Sequence, residues 1–108
     1  MGSGAVSAHR RAGATEPDAK GERWLLWHCA GCDEKHGVPV EGGARKWTWN
    51  GSEESPTLTP SVLRVTPQGS KPDHRCHLFL RDGKVQFCSD STHSLAGQTL
   101  ELPLWEEA

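Results

Sequence analysis

Cys29 and Cys32 stand three positions apart in the stretch HCAGCDEKH, and in a chain of 108 residues that spacing constrains the fold more than any other feature. Two cysteines separated by two residues reach one metal ion from a single tight turn, for which Ala30-Gly31 is suited, and so supply half of a tetrahedral site. A chain this short has only a thin hydrophobic core, so a staple is expected on size alone. There are four cysteines in all. The N-terminus lacks the continuous apolar segment of a signal peptide, so the expected compartment is the cytoplasm, where thiols are kept reduced and bind metals rather than pair as disulfides.

Composition narrows the function classes. Hydrophobic residues make up 34% of the chain, with 12 glycines, 7 prolines, five tryptophans, two phenylalanines and no tyrosine. That describes a polar, turn-rich domain whose small core is weighted toward tryptophan. Formal net charge is -2 and the basic residues are scattered, which does not favour a nucleic-acid partner. No apolar stretch is long enough to cross a bilayer, so no membrane partner is expected.

Residues 1–22 are rich in Gly, Ala, Ser and charge and read as a disordered N-terminal tail, because so few apolar side chains cannot offset the entropy of ordering. From Arg23 to residue 108 the punctuation is that of one β domain. RWLLWHC is an apolar run of strand length, and HGVPVE is a second extended piece whose Pro39 marks it as a sheet edge. RKWTWNG alternates and then meets the turn pair Asn50-Gly51. Ser61 to Thr66 forms another strand after Pro56 and Pro60. The best-defined element is RCHLFLRDGKVQFCS, where Asp82-Gly83 is a hairpin turn that pairs Arg81 with Lys84, Leu80 with Val85, Leu78 with Phe87 and His77 with Cys88. Strand alternation then puts Cys76, Leu78, Leu80, Val85 and Phe87 on one face and His77, Phe79, Gln86 and Cys88 on the other. STHSLAG suggests one helical turn closed by Gly97, and QTLELPLW a last strand.

The second half of the metal site lies about this hairpin. Cys76 is favoured over His77 because it shares the apolar face with Leu78 and Leu80, where a closed site is buried, and His93 follows as the fourth ligand from a turn. The expected set is therefore Cys29, Cys32, Cys76 and His93 around Zn2+, with His36, His77 and Cys88 as alternates. His28 and His74 read as ordinary surface or satisfied residues, and Cys88 equally as a buried thiol. A redox role for the Cys pair wants a helix N-terminus, whereas here a β-like chain with Gly37 and Pro39 follows.

Two kinds of function fit these residues. In an open metal site, His36, His77, Asp90 and His93 would approach one ion and Asp90 would orient a histidine, although HExxH, HxE with PCxxC, and nucleophile-elbow motifs are all absent. In a binding module, Trp47 and Trp49 share one face by alternation and form a binding face rimmed by the acidic loop NGSEES. The competing account is that a chain without tyrosine uses tryptophan to fill its core.

The order HCAGCDEKHGV, WTWNG, SPTLTPS, CHLFLRDGKVQF and THSLAGQTLELP resembles a family of small proteins encoded by bacteriophages and prophages, over about residues 24 to 103. Its members look like compact, β-rich metal-binding proteins of unknown biochemical function, some of them labelled ammonia monooxygenase. The resemblance carries over Cys29, Cys32, His36, Cys76, His77 and His93. It departs at Ser91, where the family often has Cys two residues before the late His, and this chain has Cys88 instead.

The expectation is thus an all-β, zinc-stapled antiparallel sheet or half-barrel, with a zinc-knuckle turn and at most one short helical turn. It acts as a protein-interaction module toward a host or virion component. The alternative is a small zinc-dependent hydrolase with an open site.

Overall fold

A computed structural model describes residues 10–43, 45–68 and 71–105; side chains are described outside 66–73. The domain is all-β, built as two antiparallel sheets. The first has strand order β1-β2-β3, from β1 (Gly13–Ala14), β2 (Arg23–Cys29) and β3 (Glu34–Glu41). The second has the order β4-β5-β6-β7-β8, from β4 (Thr48–Trp49), β5 (Leu58–Gln68), β6 (Lys71–Arg81), β7 (Lys84–Phe87) and β8 (Thr99–Glu101). No described helix is long and apolar enough to cross a membrane.

Period-two alternation decides what each strand buries. Leu25, Trp27 and Cys29 of β2 and His36, Val38 and Val40 of β3 turn inward. They share one core with Leu58, Val62, Cys76, Leu78, Leu80, Val85, Phe87 and Leu102 of the larger sheet and its C-terminal extension. The hairpin register is the one its sequence implies, Leu78 opposite Phe87 and Arg81 opposite Lys84, with Asp82 and Gly83 both at positive φ. Segment 91–97 is a turn without helix, and Gly97 takes a φ of 82°.

Two expectations need correction. Residues 10–22 do not lie apart from the domain. Ala12 is fully buried, Gly13 and Ala14 pair with Leu26 and Leu25, and the Ala14 N–H donates to the Glu53 carboxylate at 2.8 Å. Short apolar side chains are what this position demands, since the Trp105 indole lies where a Cβ at Gly13 would stand. Residues 1–9 of the expected tail lie outside the described residues. Nor is the core tryptophan-weighted: Trp27 alone of the five is fully buried, and aliphatic side chains do most of the filling.

Candidate catalytic and metal site

β6 delivers consecutive residues to opposite faces of the larger sheet. Cys76, fully buried, points inward, and His77 points out. On the inner side, the Cys29, Cys32, Cys76 and His93 donor atoms all lie within 4.8 Å of one another, close enough to hold one metal ion. Cys29 ends β2, and the turn that follows is closed by a hydrogen bond from the Asp33 N–H to the Cys29 carbonyl at 2.7 Å, which brings Cys32 round. Gly31 is required there, because a methyl group at that position would occupy the His93 imidazole.

The donor set fits a tetrahedral ion. Cys29 and Cys76 sulfurs are 3.8 Å apart and the Cys76 sulfur is 3.4 Å from His93 Nε2. Thiolates at about 2.3 Å from one ion at the tetrahedral angle stand about 3.8 Å apart. All four cysteines are free thiols, so the disulfide alternative is not what the fold adopts. Without metal, a hydrogen bond with the Cys76 thiol holds Cys29 down to about 3, aided by the nearby His36. The same bond and burial push Cys76 up, while burial, with the Cys29 charge, pushes Cys32 up to about 11. Burial also pushes the His93 pKa down, which favours the neutral imidazole that a metal ligand has to be.

The alternates are placed differently. His36 is 3% exposed, edge-on to Trp27, and neither ring nitrogen makes a hydrogen bond, although the ring helps lower Cys29. It stands beside the four-residue group, not within it. His74, read from sequence as an ordinary histidine, lies 3.0 Å from the Cys32 sulfur. His28 faces Asp33 at the surface. His77 and Cys88 are on the opposite face, grouped with Asp90. The open site expected from His36, His77, Asp90 and His93 is therefore split by the sheet, two residues to each side.

On the outer face a second constellation forms. His77 Nδ1 lies 3.2 Å from Asp90 Oδ1, and His77 Nε2 lies 3.2 Å from Ser61 Oγ. Ser61 reaches His77 because β5 is irregular: Leu58 pairs with Leu80 and Val62 with Leu78, so Thr59, Pro60 and Ser61 together oppose Phe79. Proline, with no N–H to give to a ladder, is at home in such a bulge, and bulges re-aim side chains. The Ser61 carbonyl accepts the Trp47 indole N–H at 3.2 Å. Trp49 likewise donates to the Ser52 carbonyl at 3.0 Å. Both tryptophans are half-buried against the core, and Glu53 of the adjoining acidic loop bonds to β1.

Asp90 is held against His77 by a segment that continues alongside β6 after β7 ends. The His77 N–H donates to Ser91 Oγ at 3.0 Å, Ser91 Oγ donates to the His77 carbonyl at 3.0 Å, and the Cys88 N–H reaches the same carbonyl at 2.8 Å. Thr92 repeats the clasp on Arg75, accepting its N–H at 3.0 Å and donating its own N–H to the Arg75 carbonyl at 2.8 Å. Arg75 also faces the second Asp90 oxygen at 3.6 Å. Burial, then the Asp90 charge, raises the Cys88 thiol, which opposes thiolate formation there.

A nucleophile, a histidine touching it and a carboxylate on the far ring nitrogen make up the constellation of a serine hydrolase. A family model described as bacterial ubiquitination-like system serine protease (BubE) matches residues 6–88. The chain belongs to the BubE family. That match includes Ser61 and His77 and three of the four inner ligands, while Asp90 and His93 follow its end. The match gives the family an activity by name, and it carries no information on phage or prophage origin. No curated protein and no solved structure matches the chain.

Proposed function

We propose that this chain is a serine protease of a ubiquitination-like system, with Ser61 as nucleophile, His77 as general base and acid, and Asp90 as the group that orients and charges the imidazole. The observation that carries the reading is the unbroken relay from Ser61 Oγ through both His77 nitrogens to Asp90, each contact at 3.2 Å. As the Ser61 oxygen attacks the substrate carbonyl carbon, its proton passes to His77 Nε2, and Asp90 stabilises the resulting imidazolium. The C–N bond then breaks as His77 returns that proton to the leaving amine. Water, deprotonated by His77, releases the acyl group and regenerates Ser61. The polypeptide partner expected from the sequence is on this reading the substrate.

We further propose that Cys29, Cys32, Cys76 and His93 hold zinc as a closed structural site. Three thiolates and an imidazole complete its coordination and leave no position for water, so the ion's contribution is to the fold. The experiment is phosphonylation by a fluorophosphonate, which reacts with activated serines. The metal-loaded chain gains one adduct by intact mass and the Ser61→Ala chain gains none; an adduct that persists in Ser61→Ala, or none on the parent chain, overturns the assignment.

A second reading rests on His77, Cys88 and Asp90, whose donor atoms also lie within 4.8 Å of one another. These would form an open metal site of the hydrolase kind. Native mass spectrometry separates the two, since one metal per chain supports the serine reading and two support this one.

A further inference from the structure

Among the described residues, the larger sheet is left open beside Ser61. β4 pairs with β5 only at Leu58 and Thr59, and past Thr59 no described strand runs along that side of β5. The backbone direction of the open stretch follows from its neighbours. Leu63 pairs with His77 and Val65 with Arg75, yet the N–H and C=O groups of His77 and Arg75 are both engaged on the other side, by Ser91, Cys88 and Thr92. These are therefore pairs of the non-hydrogen-bonded kind, and Leu63 and Val65 aim their own N–H and C=O groups away from β6, at the open edge. Their side chains are exposed, 55% and 45%, and share the face that carries Ser61 and His77.

Exposed edges are ordinarily blunted with charge, proline or a covering loop. Here proline stands at both ends of the stretch, Pro60 and Pro67, and between them lie two apolar side chains and four outward backbone groups within about 13 Å of Ser61, at two residues per step of about 6.6 Å. Resting on the serine-protease reading, we propose that the substrate is an unfolded, extended polypeptide segment that adds as a strand to the open edge of β5, with Leu63 and Val65 selecting apolar side chains near the scissile bond. Strand addition supplies affinity through the backbone and selectivity through alternate side chains, and here the added strand runs along Val65 and Leu63 toward Ser61, whose own carbonyl is already taken by Trp47.

The test uses the full, metal-loaded chain and β-casein, an unfolded apolar polypeptide, as probe. Cleavage products are mapped by mass spectrometry, and fluorophosphonate labelling is followed on the same samples as a measure of Ser61 alone. Leu63→Lys and Val65→Lys lower the ratio of casein cleavage to labelling at least tenfold. Leu104→Lys, an exposed apolar site far from the edge in sequence and outside the strands, leaves that ratio unchanged. Cuts fall beside apolar residues in the parent chain. Equal ratios in all variants, a labelled parent chain that leaves casein whole, or a dimer that Leu63→Lys dissociates, showing that a second copy occupies the edge, each overturn the proposal. Absence of labelling in the parent chain instead removes the serine reading and this one with it.

Discussion

The two faces of β6 differ in what holds their residues in place. Cys76 is fully buried on the inner face, among side chains whose burial the alternating pattern dictates. His77, next in sequence, has a side chain 28% exposed, against an Asp90 that is 45% exposed. Its position depends on two irregular features, the bulge that brings in Ser61 and the Ser91 clasp that brings in Asp90. The inner face ties the strand down, and the outer face uses the strand so fixed. His93 and Asp90 belong to one short segment and serve opposite faces, so a metal holding His93 also anchors the segment that carries the carboxylate.

If that division holds, damage to the inner face removes both functions and damage to the outer face removes one. Cys76→Ser has the largest effect. Structural zinc contributes on the order of 10 kcal/mol of apparent binding free energy, comparable with the whole stability of about 5–15 kcal/mol of a small domain. Circular dichroism is expected to show no cooperative thermal transition and native mass no metal. An unchanged transition would detach the metal from the fold.

Asp90→Asn comes next and is confined to the outer face. Turnover of a peptide substrate falls by about 10³- to 10⁴-fold, as losing a triad carboxylate does elsewhere, while the half-exposed side chain leaves the thermal midpoint within a few degrees of the parent. A large loss of stability would show that Asp90 is structural.

Ser91→Ala is smaller and touches both properties. It leaves the His77 N–H without its partner, costing about 1–3 kcal/mol, and lets the imidazole drift, so turnover falls while Ser91→Thr restores it. Scanning calorimetry with turnover on both variants checks the pairing.

The smallest effect is acid sensitivity. Burial holds the His93 pKa below the ordinary histidine value, so the unfolded chain binds that proton more readily than the folded one. Its contribution is fully present above about pH 6.5 and is lost as pH falls through the lower folded value. In the metal-loaded chain the same protonation must also displace the ion, so its thermal midpoints, measured from pH 8 down to 5, should decline on the acid side.

The inner face was legible in the sequence because its signals are local or periodic. The Cys29–Cys32 spacing implies a knuckle, the Asp82-Gly83 turn fixes a register, and the register turns Cys76 inward. The outer face was legible only in pieces. His77 and Asp90 stand out as candidates, but grouping them with His36 and His93 overlooks that strand alternation separates Cys76 from His77. Ser61 carries no signal of its own. It comes within reach of His77 through an irregular pairing between β5 and β6, and no local motif encodes that pairing. The tryptophan contacts are illegible for a related reason: the indole N–H groups of Trp47 and Trp49 hold the Ser61 and Ser52 carbonyls, and alternation alone does not encode those contacts.

The most direct test of the link between the faces is the rate of fluorophosphonate attack on Ser61 as a function of metal occupancy, read by native mass on a single titration with chelator. A rate that falls in step with metal loss, by at least a hundredfold at full removal, is the expected result. Full reactivity in the metal-free chain would contradict it, for the outer face would then assemble without the inner one.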